Sequence, residues 1–332
     1  MRIGFLGAGL IATHHSKMLR AVQGEFTRAG VFDIDPIRTE AFASRSGHAV
    51  CSSEDELLDT CDAVYICTWT SEHRRLVEKA ASRQMAVFCE KPLATTLEDA
   101  EAMLEAVDRA GVPAQSGLIL RHSPVWALVQ ELLADPVAGK LITIVFRDDQ
   151  YLPTQGTYAS TWRGDASKAG AGTLIEHSIH DIDLLLRLGG EIDTVSATTR
   201  FNHGLEGIED LAVCMFGFDS GAVATLTSVW HDNLSRRSQR HVELICERRH
   251  ITVAGDDFFG PVTWQDADGT ERSLRTDELI SQTAPLLPDG YNPDAAFVRA
   301  LIGSTQPTPG FAEAVAAQRV VDACYQSAAL NS

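Results

Sequence analysis

Between Gly170 and Asp183 the sequence runs Gly-Ala-Gly-Thr-Leu-Ile-Glu-His-Ser-Ile-His-Asp-Ile-Asp. Glu176, His180, Asp183 and Arg187 recur at steps that align on one face of a helix, with Ile175, Ile179, Ile182 and Leu186 as an apolar stripe beside them. A histidine titrates near neutral pH, and a carboxylate one turn away can orient it. Glu176 and His180 are therefore a candidate acid–base pair. Thr173 to Glu176 also reads as a capping box, which gives Glu176 a backbone role instead. Lys91 is the second candidate. It follows a buried strand, and Pro92 drives it out of the helical region. A lysine at a strand end beside a cofactor can hold a substrate oxygen or share in proton transfer; a solvated strand terminus is the plain alternative. The Lys91–Pro92 bond precedes a proline and is open to the cis form.

Elements that place such groups are legible from the N-terminus. Arg2 to Leu6 reads as a short apolar strand, followed by Gly7-Ala8-Gly9-Leu10-Ile11-Ala12 and a helical stretch from Thr13 to about Val22. A G-x-G-x-x-A loop between strand and helix suits a dinucleotide: Gly7 for the turn, Gly9 for close approach of a pyrophosphate, Ala12 for helix–strand packing. A second strand, Arg28 to Phe32, ends in Asp33, where an acid bonds a ribose 2′-hydroxyl and repels a 2′-phosphate. NAD is favoured, and Arg38 keeps NADP open. Alternation continues through helix Pro36–Ser46, strand Ala49–Val50, helix Ser53–Leu58 and strand Ala63–Thr68. A helix then runs to Arg83, followed by strand Met85–Cys89, a capping box at Thr95–Glu98 with its helix to Gly111, and strand Pro113–Leu120. This pattern predicts an α/β fold with a doubly wound parallel sheet. Gly7, Asp33, Thr68 and Lys91 all fall beyond strand ends, where such sheets bind ligands.

The remainder reads as a second domain. Residues 1–120 are expected to bind the dinucleotide and 121–332 to bind substrate and form oligomer contacts. Leu141 to Phe146 is a strand closed by Arg147-Asp148-Asp149-Gln150. Tyr151 to Ser167 is an irregular segment rich in hydroxyl and aromatic groups. Trp162 and Arg163 there suit a sugar, with an apolar face and a fork of donors for hydroxyls, or Trp162 packs against the domain interface; Tyr151 and Tyr158 join them as candidate substrate contacts. Strands follow at Thr194–Phe201, Asp210–Phe218, Ala222–Trp230, His241–Cys246 and His250–Val253. The arginine-rich stretch Asn233 to Arg240 reads as an exposed loop, and Asn292–Leu301 and Phe311–Ala329 as helices.

The whole chain narrows the function classes. Its 332 residues suit about two domains, each able to bury a core. A net charge of −17 argues against nucleic acid or an anionic membrane as partner. No long uncharged apolar run suggests a membrane span, and the N-terminus is too short and glycine-rich for a signal peptide. Seven scattered cysteines without a C-x-x-C pair fit a reducing cytoplasm and outline no metal site. Cys61, Cys67 and Cys89 read as buried thiols.

Four segments together resemble the glucose–fructose oxidoreductase / inositol dehydrogenase / rhizopine-catabolism (Gfo/Idh/MocA) family: Gly7–Ala12 with Asp33, Val64–His73, Glu90-Lys91-Pro92, and Gly170–Asp183. The resemblance spans nearly the whole chain. It implies a Rossmann domain joined to an α/β domain with a large, mostly antiparallel open sheet, used commonly for homodimers or homotetramers. It further implies hydride transfer between NAD(P) and a CH–OH or C=O group of a sugar, inositol or related polyol. The family's lysine falls on Lys91 and its histidine on His180, while Glu176 stands where an aspartate is usual. Leu10, Ile11, Thr68, Trp69, His73 and Glu90 join the implied cofactor site, and Arg121 and His177 the substrate site. Trp69 replaces a usual proline and His177 a usual apolar residue. The alternatives are an NADP(H)-linked keto-sugar or carbonyl reductase, and a non-catalytic NAD(H)-binding sensor.

Overall fold

The computed structural model describes residues 1–156, 159–235, 238–288 and 290–330. The chain divides into two units, Met1–Leu118 with Asn292–Val315, and Ile119–Tyr291 with Ala316–Ser332. The expected division gave everything after residue 120 to the second domain. Asn292–Val315 belongs to the first unit instead, because Ala295, Phe297 and Val298 join its core.

Unit 1 contains β1 (Arg2–Leu6), α1 (Leu10–Met18), β2 (Thr27–Phe32), α2 (Pro36–Ser46), β3 (Ala49–Val50), α3 (Glu54–Thr60), β4 (Ala63–Ile66), α4 (His73–Ser82), β5 (Ala86–Cys89), α5 (Leu97–Ala110) and β6 (Ala114–Ser116). The strands pair in parallel in the order β3-β2-β1-β4-β5-β6, the doubly wound sheet expected. β4 and β5 are buried at every position, as strands covered on both faces must be. Phe5, Tyr65 and Phe88 stack across the sheet with centroids 4.8 and 4.6 Å apart. Several boundaries shift, and β6 ends at Ser116 where a strand to Leu120 is expected, because a 3₁₀ turn takes Ile119–His122. The first helix starts at Leu10 and tightens into a 3₁₀ turn at Leu19–Val22. The cap of α5 is Thr96, whose Oγ1 accepts from Asp99 N, one residue later than the expected capping box.

Unit 2 contains α6 (Pro124–Ala134), β7 (Leu141–Tyr151), α7 (Ala166–Ala169), α8 (Thr173–Glu176), α9 (Ile179–Gly189), β8 (Ile192–Arg200), β9 (Leu211–Phe218), β10 (Val223–His231), β11 (Gln239–Cys246), β12 (Arg249–Asp256), β13 (Gly260–Asp266), β14 (Glu271–Leu274) and α10 (Thr276–Thr283). Helix α11 (Pro293–Ile302) belongs to unit 1, and the division falls within α12 (Phe311–Leu330). The eight-stranded sheet runs β14-β13-β12-β11-β7-β10-β9-β8 and is antiparallel except for β7 against β10. Strand β7 extends to Tyr151, so Arg147–Gln150 continues the strand rather than closing it. On β9, Val213 and Met215 are exposed while Ala212, Cys214 and Phe216 are buried, the period-two pattern of a sheet with one covered face. Among the described residues, no helix is long and apolar enough to cross a membrane. All seven cysteines are free and buried, as expected of Cys61, Cys67 and Cys89.

Candidate active site

In unit 1 the candidate residues gather where parallel strands end together. Gly7 follows β1 with φ +90°, and a side chain there would strike the Cys67 backbone. Gly9 caps α1 without a side-chain bond, and a Cβ at this position would meet nothing within 4 Å. The first amides of α1 thus stand beside open space, and the loop fits a pyrophosphate. Leu10 is exposed at the helix start, with Ile11 half-buried behind it. Asp33 follows β2: its Oδ2 accepts from Ala8 N at 2.7 Å and its Oδ1 from Asp35 N at 2.9 Å. The carboxylate therefore also braces the glycine loop. Arg38 lies 3.3 Å from Asp35.

Thr68 and Trp69 follow β4 and are half-buried. His73, expected beside the cofactor, is buried. Its Nδ1 donates toward the carbonyls of Pro92 and Leu93, each at 3.1 Å, fastening the turn after Lys91. Burial lowers its pKa, opposed by those carbonyls. The Lys91–Pro92 bond is cis.

Glu90 lies beneath this turn in a cluster of acids and bases that sequence reading missed. Its Oε1 is 2.7 Å from His15 Nε2, and His15 Nδ1 is 2.8 Å from Asp294 Oδ1. All three are buried. Burial opposes charge on His15, but Asp294 and Glu90 outweigh it and raise its pKa to about 10. Burial likewise opposes charge on Glu90, and His15 more than offsets it, so the Glu90 pKa falls below the usual carboxylate range.

In unit 2 the stretch Gly170–Asp183 folds differently from one continuous stripe. Gly170 has φ +91°, and a Cβ at Gly172 would overlap the Glu209 backbone. The buried Glu209 carboxylate accepts from Gly172 N at 2.6 Å, Leu174 N at 2.9 Å and Tyr325 Oη at 2.9 Å. An acid at the start of α8 does the work that the capping box assigned to Thr173 and Glu176. Thr173 Oγ1 instead meets Ser228 Oγ at 2.8 Å. The helix breaks at His177–Ser178, so Glu176 ends α8 and His180 lies in the first turn of α9. Ile175, Ile179 and Ile182 are buried, as the apolar stripe required.

Glu176 Oε1 lies 3.0 Å from Arg163 Nε. The Arg163 guanidinium sits 4.4 Å from the Trp162 ring centroid, and Trp162 packs against the cluster of Leu152, Ala169, Ile208 and Trp230. Arg121 grips Asp183 with Nε at 2.9 Å and Nη2 at 2.6 Å. Tyr151 stacks edge-on to His231 at 5.5 Å. Tyr158 lies outside the described residues. His180 is buried, with the His177 ring 6.4 Å away.

His177 Nε2 faces Asp148 Oδ2 and Arg240 Nη2, both at 3.1 Å. Arg240, expected in an exposed loop, is a buried residue of β11. It donates to Asp181 at 2.6 Å, reaches Asp148 at 3.5 Å and pairs with Asp257. Burial opposes ionisation of Asp148, but Arg240 and His177 hold its pKa below the ordinary range. Burial drives the Asp181 pKa well above it. No group of His, Cys, Asp and Glu suited to a metal ion occurs among the described residues.

Residues 1–118 match the model of an oxidoreductase family with an NAD-binding Rossmann fold, and residues 126–252 match the GFO/IDH/MocA C-terminal domain. Glucose-6-phosphate 3-dehydrogenase of Bacillus subtilis is 29% identical over 64% of this chain and 61% of its own length. The chain thus matches less than two thirds of that relative. 1,5-Anhydro-D-fructose reductase of Ensifer adhaerens is 31% identical over 67% of each. A levoglucosan dehydrogenase solved with NADH and levoglucosan shares the fold: TM-score 0.87 at 21% identity, over 100% of this chain and 98% of that one. With a parallel dinucleotide sheet in unit 1 and a mostly antiparallel sheet in unit 2, the chain belongs to the GFO/IDH/MocA family of NAD-binding oxidoreductases.

Proposed function

We propose that the protein is an NAD-linked dehydrogenase of a sugar, inositol or related cyclic polyol. The observation that carries this reading is the C-terminal end of the parallel sheet, where the Gly7–Ala12 loop, Asp33 and Lys91 follow β1, β2 and β5. Bound NAD supplies a hydride acceptor at nicotinamide C4. His180 takes the proton of the reacting hydroxyl as its carbon loses hydride. The Lys91 ammonium holds the same oxygen and favours its developing negative charge. Glu176 holds Arg163, and with it Trp162, whose ring offers an apolar face to a sugar. Asp33 at the end of β2 and the pairing of Arg38 with Asp35 support NAD over NADP.

The outer face of the eight-stranded sheet supports a second copy as partner. Val145, Thr225 and Met215 lie in one row across β7, β10 and β9, with Val213, Val223 and Ile245 exposed nearby. Light scattering should give a homodimer or homotetramer, and Met215→Asp should reduce its mass; a monomeric wild type sinks this part.

The chemistry is tested by offering the protein NAD or NADP with aldoses, inositols, sugar acids and sugar phosphates, and following near-ultraviolet absorbance of the reduced cofactor. Turnover of one polyol with a lower KM for NAD is expected. Silence with every polyol and every matching ketone, while NADH still binds by fluorescence, would replace the enzyme reading with that of a sensor.

A further inference from the structure

Lys91 stands on a support that the reaction itself does not use. His15 projects from the inner side of α1, the helix that opens at the glycine loop. One ring nitrogen meets Glu90 at 2.7 Å and the other Asp294 at 2.8 Å. The second Glu90 oxygen accepts the Lys91 backbone N–H at 3.2 Å. A side chain at Gly117 would press on Glu90 Oε1 at 2.8 Å and on Lys91 N at 3.0 Å, so the bare backbone at residue 117 leaves the room Glu90 occupies.

We propose that His15, clamped between Glu90 and Asp294, is a positioning residue that fixes Lys91 for hydride-transfer chemistry. The proposal rests on the reading of Lys91 as the residue that holds the reacting oxygen. A neutral imidazole has one N–H and can donate to only one of two carboxylates. Carboxylates at both nitrogens, with the pKa raised to about 10, make His15 an imidazolium at neutral pH. The other groups facing it are His14 at 5.9 Å, whose own pKa burial lowers, and the rings of Tyr65 and Phe88 at 5.5 and 4.8 Å. Stability alone is a poor reason for such a cluster, because apolar residues of similar volume often serve a core as well or better. Its geometry ties three things together: the helix behind the glycine loop, the first turn of α11 through Asp294, and the backbone of Lys91.

The test uses His15→Gln in the full chain, with NAD and the polyol of highest kcat/KM from the panel. Expected is a fall in kcat of about tenfold or more, with NADH affinity within about twofold of wild type. Lys91→Ala/His15→Gln should be no slower than Lys91→Ala, since both changes act through one group. His15→Gln/Glu90→Gln, with two amides in place of the ion pair, should recover part of kcat. Nitrogen NMR of wild type should find both His15 nitrogens protonated at about pH 8, a readout that needs no variant to fold. A neutral His15 there, or folded His15→Gln with wild-type kcat, overturns the proposal. If His15→Gln does not fold, Asp294→Asn serves, because it keeps the bond from His15 to Glu90; wild-type kcat in that variant also overturns it. A slow Lys91→Ala beside a fast His15→Gln removes only the positioning role, whereas a fast Lys91→Ala removes the reading beneath it.

Discussion

Each unit buries one charge network beneath a candidate catalytic segment, and the two are balanced differently. In unit 1 a titratable cation, His15, meets two carboxylates with one N–H for each. In unit 2 a permanent cation, Arg240, is shared by three acids, Asp148, Asp181 and Asp257, so the excess of acid is larger than in unit 1. In the first network the charged forms of His15 and Glu90 are favoured. In the second, burial drives the Asp181 pKa well above the ordinary carboxylate range, with Arg240 opposing it. The networks should therefore differ in alkaline solution, where His15 loses its charge and Arg240 keeps it.

The largest effect is expected at Arg240. Arg240→Met leaves three carboxylates without their cation and should cost about 3–5 kcal/mol in chemical denaturation at neutral pH. That loss should shrink in acid, as the carboxylates protonate. An unchanged midpoint would mean that solvent already compensates them. His15→Gln should cost a few kcal/mol near pH 6. Because the folded His15 pKa is raised, its contribution is fully present below 6.5 and fades as pH rises through about 10. Because the folded Glu90 pKa is lowered, its share is present above 4.5 and fades as pH falls below that value. The stability difference between wild type and His15→Gln should thus be widest between these limits; a difference constant to pH 10 contradicts an imidazolium.

Smaller effects separate the acids of unit 2. Asp148 is held ionised, so Asp148→Asn should cost about 1–3 kcal/mol through lost charge on the bonds from His177 and Arg240. Asp181→Asn should cost less than about 1 kcal/mol, because burial disfavours charge at this position and an amide oxygen can still accept the Arg240 bond. Equal losses in the two variants would erase the distinction drawn between them.

The same contrast explains what the sequence made legible. Unit 1 announces itself locally: β1, β2 and β5 lead into the glycine loop, Asp33 and the Lys91 turn, which fall at one end of the sheet because parallel strands end together. Its buried cluster stayed hidden because His15 and Asp294 are 279 positions apart, and Asp294 reads from sequence as an ordinary acid in a first helical turn. In unit 2, Arg240 follows a polar, arginine-rich stretch and so resembles loop; its burial comes from acids on β7, α9 and the turn after β12. Helix α6 is apolar almost all round and carries little periodic signal, and β13 and β14 alternate too weakly to stand out. The acid–base stripe failed at His177–Ser178, where Ser178 bonds Ser228 and Asp148 instead of continuing the helix. The expected shared helical face of Glu176 and His180 is therefore absent.

The central claim is that Lys91 and His180 carry the chemistry while unit 1 binds the cofactor independently of them. The most direct test is kcat for Lys91→Ala and His180→Ala with NAD and the best polyol, beside the NADH dissociation constant of each variant. A fall in kcat of about a hundredfold or more in both variants, with NADH affinity nearly unchanged, is the predicted result. Wild-type turnover in either variant would contradict the account.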